Sequence, residues 1–269
     1  MKTLTHTLLS AALALPALAQ QDSLAPLPID QGKLENEVRA HLAAREQGLR
    51  LLVGSQLTVT DRLPPHDERL TPAQTAAAAT ATPVLLATDR DGYGLLCRLA
   101  SWGRRRCAKG ASLLSWHELC DLADGLLLLH HDRQPPPRDV REAFGDRAYA
   151  LLTRHLQPDD AGREHDLRRL GWPLVAGTEV LYHTPARRPL HDVLTCIRHG
   201  VSLHQAGTHL RPNAEHALLS PYAFAQRFRD CPDAVARTLE VASRCQFELA
   251  DLRYRYPSER LPEIGRAHV

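Results

Sequence analysis

Short apolar runs alternate with amphipathic stretches along most of this chain, as they do when strands and helices take turns. Glu35 to Gly48 carries Val38, Leu42 and Ala43 on one helical face and charges on the other, with Gly48 as the stop. Leu49 to Thr60 reads as a strand with Leu51, Leu52 and Val53 at its buried centre. Asp61 to Pro83 is rich in Pro, Thr and Ala and reads as a surface loop. Val84 to Ala87 is the next strand, and Asp91-Gly92 turns into a helix from about Gly94 to Trp102. A basic loop covers Arg104 to Gly110, and Ser115 starts another helix. Leu126 to Leu129 reads as a buried strand, followed by His130, His131 and a Pro-rich turn at Pro135 to Pro137. Asp139 to Phe144 is a short helix, Tyr149 to Leu152 a strand, and Asp159 to Leu170 a charged helix.

The stretch from Leu174 to Gly200 reads most clearly. Leu174, Val175 and Ala176 form a core strand, and Glu179, Tyr182 and His183 follow its C-terminal end, where α/β folds place their chemistry. Pro189 opens a helix whose apolar stripe is Leu190, Val193, Leu194 and Ile197, and Gly200 ends it. After Gly200 the pattern turns helical. Ser220-Pro221 opens a helix through Phe228, and Asp233 to Cys245 forms another with Val235, Leu239 and Ala242 at helical spacing. The alternation up to Gly200 predicts a parallel α/β fold.

Composition sharpens this picture in three places. With 43% hydrophobic residues among 269, the chain can build a substantial core, and a net charge of +2 does not by itself argue for nucleic acid. The six cysteines form no C-x-x-C pair and read as free thiols of a reducing compartment. The N-terminus points the other way. Lys2, the apolar run from Leu8 to Ala17 and the small-x-small Ala17-Leu18-Ala19 look like a secretory signal. An Ala/Leu-rich translation from a wrong start gives the same pattern, so residues 1–29 read as signal-like or artefactual. Glu263 to Val269 reads as a non-native tail like a translated sequencing adapter, or as a short disordered end.

Candidate chemistry is sparse. There is no Walker loop, no G-x-G-x-x-G and no G-x-S-x-G. His130 and His131 read as a surface turn, and would point to opposite sides if extended. His183 reads as a packed or hydrogen-bonded residue. Arg104, Arg105, Arg106 and Lys109, with Arg187 and Arg188, are candidate contacts to DNA or phosphate; solvated loops or internal ion pairs are the competing reading.

Several blocks taken together resemble a known family: Val38 to Glu46, Leu51 to Ser55, Leu85 to Leu99, Gly103 to Arg106, Leu174 to Gly200, Pro212 to Glu215 and Tyr254 to Pro257. In order and spacing they are similar to the PHP (polymerase and histidinol phosphatase) region of bacterial DNA polymerase III alpha subunits, most of all the error-prone paralogue, from about Asp30 to Leu261. The resemblance implies a distorted (β/α)7 barrel, here incomplete (residues 30–200), then a helical connection (201–262) toward a polymerase palm. It also implies a metal cluster of His, Asp and Glu at strand ends. Carried over position by position, that cluster is degenerate. The first His-x-His pair has no counterpart, Asp30 could match an Asp ligand, Gln56 stands where Glu is usual, Glu179 where Asp is usual, and Leu181 where His is usual. Gln and Leu offer neither charge nor imidazole.

The expected function is therefore that of a structural PHP module of an error-prone, damage-induced DNA polymerase. The chain itself is expected to lack catalytic residues, metal and cofactor, magnesium belonging to the palm of the full-length family. The expected partners are DNA, through the whole polymerase, and other damage-induced synthesis proteins, with no membrane and a cytoplasmic location. The alternatives are a standalone metal-dependent phosphoesterase and an exported, degenerate binding module. Open strand edges and exposed apolar faces predict poor solubility for the chain alone.

Overall fold

The computed structural model describes residues 33–65 and 69–252. Asp30, the signal-like start, the Tyr254–Pro257 block and the adapter-like tail lie outside the described residues. Helix α1 (Lys33–Glu46) leads to β1 (Gly54–Gln56) and β2 (Val59–Thr60). The strand expected over Leu49 to Thr60 is thus two short ones, with Leu52 buried just ahead of β1.

The segment expected to be a loop contains α2 (Pro72–Ala78). Thr71 caps it, and Gln74 closes a reciprocal capping box. The Thr-Pro-Ala-Gln start carries that box, and the alanines favour helix, so local propensity outweighs the low-complexity appearance. Strand β3 (Val84–Ala87) follows, then α3 (Arg90–Arg105), which starts four residues earlier than expected because Asp89 caps it through the Gly92 N–H at 2.8 Å. Arg104 and Arg105 accordingly lie in the last turn of a helix rather than in a loop. Gly92 sits against Gly125, where a Cβ would meet the Gly125 carbonyl oxygen at 1.9 Å, so α3 can approach the turn at Gly125 only with glycine there.

Strand β4 (Leu114–Ser115) leads into α4 (Trp116–Asp121), β5 (Leu126–His130), α5 (Arg138–Phe144), β6 (Ala148–Thr153), α6 (Asp160–Arg169) and β7 (Leu174–Gly177). Helices α7 (Arg188–His199), α8 (Pro221–Arg227) and α9 (Pro232–Arg244) complete the described chain.

The main sheet has the order β1-β3-β5-β6-β7. β5, β6 and β7 are parallel, whereas β3 runs antiparallel to both β1 and β5. Four strands therefore share one direction and β3 opposes them, so the fold is α/β with a mixed sheet rather than an all-parallel one. β2 and β4 form a separate parallel pair.

Alternation along the strands divides the core in two. Leu85, Leu126, Leu128 and Ala148 face α3, α4 and α5, packing with Leu96, Leu99, Leu119, Val140 and Phe144. Val84, Leu86, Leu127, Leu129, Tyr149, Leu151 and Val175 face the other way, onto Val241, Ala242 and Cys245 at the C-terminal part of α9. Both faces are covered, which is why β5 is an unbroken apolar run.

The α9 face that packs is Ala234, Thr238, Val241 and Ala242, while Leu239 is exposed; of the expected stripe only Ala242 is buried and Val235 half-buried. Polar bonds lock α9 down. Tyr149 Oη donates to Glu240 Oε1 at 2.6 Å and accepts from Arg244, and Arg237 donates to the Leu174 carbonyl.

Helix α7 departs from expectation more sharply. Its boundaries and its left-handed Gly200 cap agree with the sequence, but of its residues only Cys196 is buried. Leu190, Val193, Leu194 and Ile197 are exposed, Ile197 at 71%. No helix among the described residues is long and apolar enough to cross a membrane.

Candidate functional site

Because β1, β5, β6 and β7 share one direction, their C-terminal ends meet at one edge of the sheet. A cleft of about 390 Å³ opens there, over the α9-facing side. Its lining draws polar residues from each strand end, among them Gln56 at the end of β1, His131 after β5, His155 after β6 and Glu179 after β7. The segment after α7 returns Arg211 and His216 to the same cleft. A short bridge between Tyr182 and Ala217, with Leu181 N–H donating to the His216 carbonyl at 2.9 Å, fixes that return.

At the β7 end, Glu179 collects most of the polar contacts. Arg211 donates to its Oε1 at 2.8 Å, and His216 Nδ1 lies 3.2 Å both from its Oε2 and from its main-chain oxygen. Its own N–H donates to His155 Nε2 at 3.3 Å. Burial alone would raise the Glu179 carboxyl, but the His216 hydrogen bond and the Arg211 charge outweigh it and hold it below the usual range. His155 and His216 stack with ring centroids 4.0 Å apart at 17°. Burial, and then the neighbouring His216, push His155 down to about 4, so it is neutral at pH 7. The turn holding it is tightly built: Asp160 Oδ2 accepts from the His155 and Gln157 N–H groups, and Asn213 donates to the His155 carbonyl at 2.6 Å. Between these, Leu156 takes a left-handed φ of 52°, unusual for a leucine. His216 is 1% exposed, and its Nε2 has no protein partner.

At the β1 and β5 end, Gln56 Nε2 donates to the Thr82 carbonyl at 3.2 Å and sits 3.2 Å from His131 Nε2, which lies 2.8 Å from the same carbonyl. His130 and His131 do point to opposite sides, but they are not a surface turn. His130 is the last residue of β5, 0% exposed, lying between Trp116 and Trp172 with Nε2 on the Gln134 carbonyl at 2.9 Å. The strand runs one residue further than its leucines advertise, and burial drives His130 toward its neutral form.

The positions carried over from the resemblance divide in the same way. Gln56 and Glu179 line the cleft; Leu181 is half-buried and bonded through its main chain; His183 is exposed and outside the cleft. Gln56 and Leu181 do not fit a multi-ion hydrolytic cluster, so no reaction step is assigned to one.

The basic candidates also separate. Arg104, Arg105, Lys109 and Arg187 are exposed. Arg106 forms a two-pronged ion pair with Glu118, and Arg188 donates to the Arg211 carbonyl and lies 3.5 Å from Asp192. These two act inside the fold. All six cysteines are free, as their spacing suggested. His155, Arg211 and His216 were not singled out by sequence reading. His216 follows the Pro212 to Glu215 block directly, but nothing in its spacing from His155 shows that the two rings meet.

An α/β fold with histidines, a carboxylate and an arginine gathered at parallel strand ends defines the class. The chain matches no protein-family model. It is 35% identical to error-prone DNA polymerase 1 of Agrobacterium fabrum over 248 residues, 86% of this chain and 20% of that protein. It is also 35% identical to the error-prone DNA polymerases of Rhodopirellula baltica, over 87% of the chain and 21% of the relative, and of Dechloromonas aromatica, over 93% and 24%. Over the segment it shares with them the chain is similar to these error-prone DNA polymerases, and it spans about a fifth of their length.

Proposed function

We propose that this chain is the PHP-type segment, from the N-terminal region, of a DNA polymerase III alpha-type enzyme that copies damaged templates. The whole enzyme would perform template-directed nucleotidyl transfer in the cytoplasm, with DNA and other damage-induced synthesis proteins as partners. The carboxylates that hold magnesium for that reaction would lie in a palm outside this chain. The chain's own part is structural. On this reading the family's partial barrel would correspond to residues 30–200, and its connection toward the polymerase core to residues 201–262. The observation that carries this reading is the similarity, at about one residue in three, across 86% of the chain or more. The presence of Gln56 and Leu181 at ligand positions supports a scaffold over a hydrolase.

The test is a graft. This chain replaces the matched segment of a full-length error-prone polymerase, and primer extension is measured on undamaged and abasic templates. Extension within tenfold of the parent is expected. A graft that is folded and monodisperse yet inactive on both templates overturns the reading, as would phosphoester hydrolysis by the chain alone.

A further inference from the structure

We propose that the outward face of α3, continued by Arg69 and Lys109, is a docking surface for the phosphate backbone of duplex DNA. These residues take no part in lining the cleft, and they give the chain a binding part beyond the structural one. The anchoring of phosphates rests on this face alone; only the choice of DNA over RNA rests on the polymerase reading.

Three observations converge. First, the helix is sided by charge. Gly92, Leu96, Leu99 and Gly103 are its buried residues. At about 3.6 residues per turn, Arg90, Arg98, Arg104 and Arg105 fall on the opposite side, within an arc of about 120° and along about 22 Å. All four are exposed. The residues between them on that side, Gly94, Cys97 and Ser101, are exposed and small, so a ligand can approach the helix closely. The one acidic residue of α3, Asp91, lies at the flank of this arc. Second, these cations are not neutralised. Among the described residues, Arg90, Arg98, Arg104 and Arg105 take part in no ion pair or side-chain hydrogen bond. Arg133, Arg154, Arg168 and Arg227, elsewhere on the chain, all hold carboxylates. The main chain brings further charge to the same end. Leu70 N–H donates to the Arg106 carbonyl at 2.9 Å, and Ala108 N–H to the Leu70 carbonyl at 2.7 Å, which sets the exposed Arg69 and Lys109 close to the last turn of α3. Third, helix stability does not account for the placement. Arg104 and Arg105 suit the negative C-terminal end of the helix dipole, but Arg90 stands at the positive N-terminal end, where a cation is unfavourable.

The chemistry of the face selects the partner. It exposes no large apolar side chain, whereas a protein partner would call for an apolar or aromatic centre. Tyr93 is stacked on Phe247 and Trp102 packs against the core, so neither is offered to unstacked bases. What remains is a straight row of guanidinium groups, which fits the regular phosphates of a duplex and reads no sequence.

The test is fluorescence anisotropy of a labelled duplex of mixed sequence, two helical turns long, titrated with the full chain between about 50 and 200 mM salt. We expect binding whose log–log salt slope is about −4 to −5, as five or so phosphate contacts require. Replacing Arg90, Arg98 and Arg105 together by Gln should weaken binding at least tenfold and reduce the slope by about 2 to 3. A control that replaces Arg138, Arg169 and Arg198 by Gln removes the same charge from exposed positions elsewhere, and should stay within twofold of the parent. Should the α3 triple variant fail to fold, Arg90→Gln and Arg98→Gln singly are each expected to weaken binding about threefold and to reduce the slope by about 1. A folded parent that leaves the duplex unbound at the lowest salt overturns the proposal. So does a control variant that loses as much as the α3 variant, since net charge would then explain the binding. Displacement of the duplex by polyglutamate as readily as by unlabelled duplex also overturns it, in favour of an acidic protein.

Discussion

A single side chain can change role once its neighbour is known, and Arg106 shows this best. In sequence it is the third member of a basic run, a natural candidate for phosphate. In the fold it reaches across to Glu118, which also closes the Ser115 capping box of α4. Burial alone would raise the Glu118 carboxyl, but the bonds from Arg106 and Ser115 outweigh it and lower it. Arg106→Ala should therefore destabilise the chain by about 2 kcal/mol, less than a fully buried pair would lose. Arg104→Ala, in an exposed helical turn, should change stability by no more than about 0.5 kcal/mol. Urea denaturation of the two variants checks the contrast. The sign with pH follows from linkage. Because the folded Glu118 carboxyl is depressed, its stabilisation is fully present above its unfolded value near 4.5 and is lost as pH falls through the lower folded value. The stability difference between parent and Glu118→Gln should shrink over that acid window and be constant near neutrality. His155 and His216 teach the same lesson: neither carries a local signal, and they matter only because two loops bring them face to face.

At the scale of elements, the sequence placed most strands and helices within a few residues, because period and capping are local properties. Ser115, Ser220 and Gly200 all mark ends the structure uses. Where expectations failed, a longer-range or competing preference prevailed. The Ala-rich segment folds into α2, β5 extends through His130, and the packed face of α9 is shifted from the predicted stripe. Helix α7 is amphipathic as predicted, but none of the described residues buries its apolar stripe. Substituting Val193 and Ile197 together by Gln should consequently cost less than about 1 kcal/mol in the isolated chain. It should also increase the monomer fraction by removing exposed apolar surface. Urea midpoints and size-exclusion profiles measure the two effects, and a loss of several kcal/mol would show that the stripe is packed after all.

For the whole molecule, the deciding contact is between α9 and the sheet. Helix α9 covers the face formed by Leu127, Leu129, Tyr149, Leu151 and Val175. A chain ending at Leu219 would expose that face, so its cooperative thermal transition should be replaced by a broad one with dye-binding apolar surface. A sharp transition in such a truncation would contradict this account of the core. The sequence by itself determined the α/β class, the order of elements, the free cysteines and the family resemblance, because each rests on periodicity, end signals or blocks read along the chain. It also placed Glu179 at a strand end and exposed the mismatch at Gln56 and Leu181. Only the tertiary structure decided the reversed direction of β3, the burial of His130, the seat of α9, and the meeting of His155, Arg211 and His216 around Glu179. Strand direction, pairing partners and the packing of distant loops depend on contacts between residues tens of positions apart, and no local pattern encodes them.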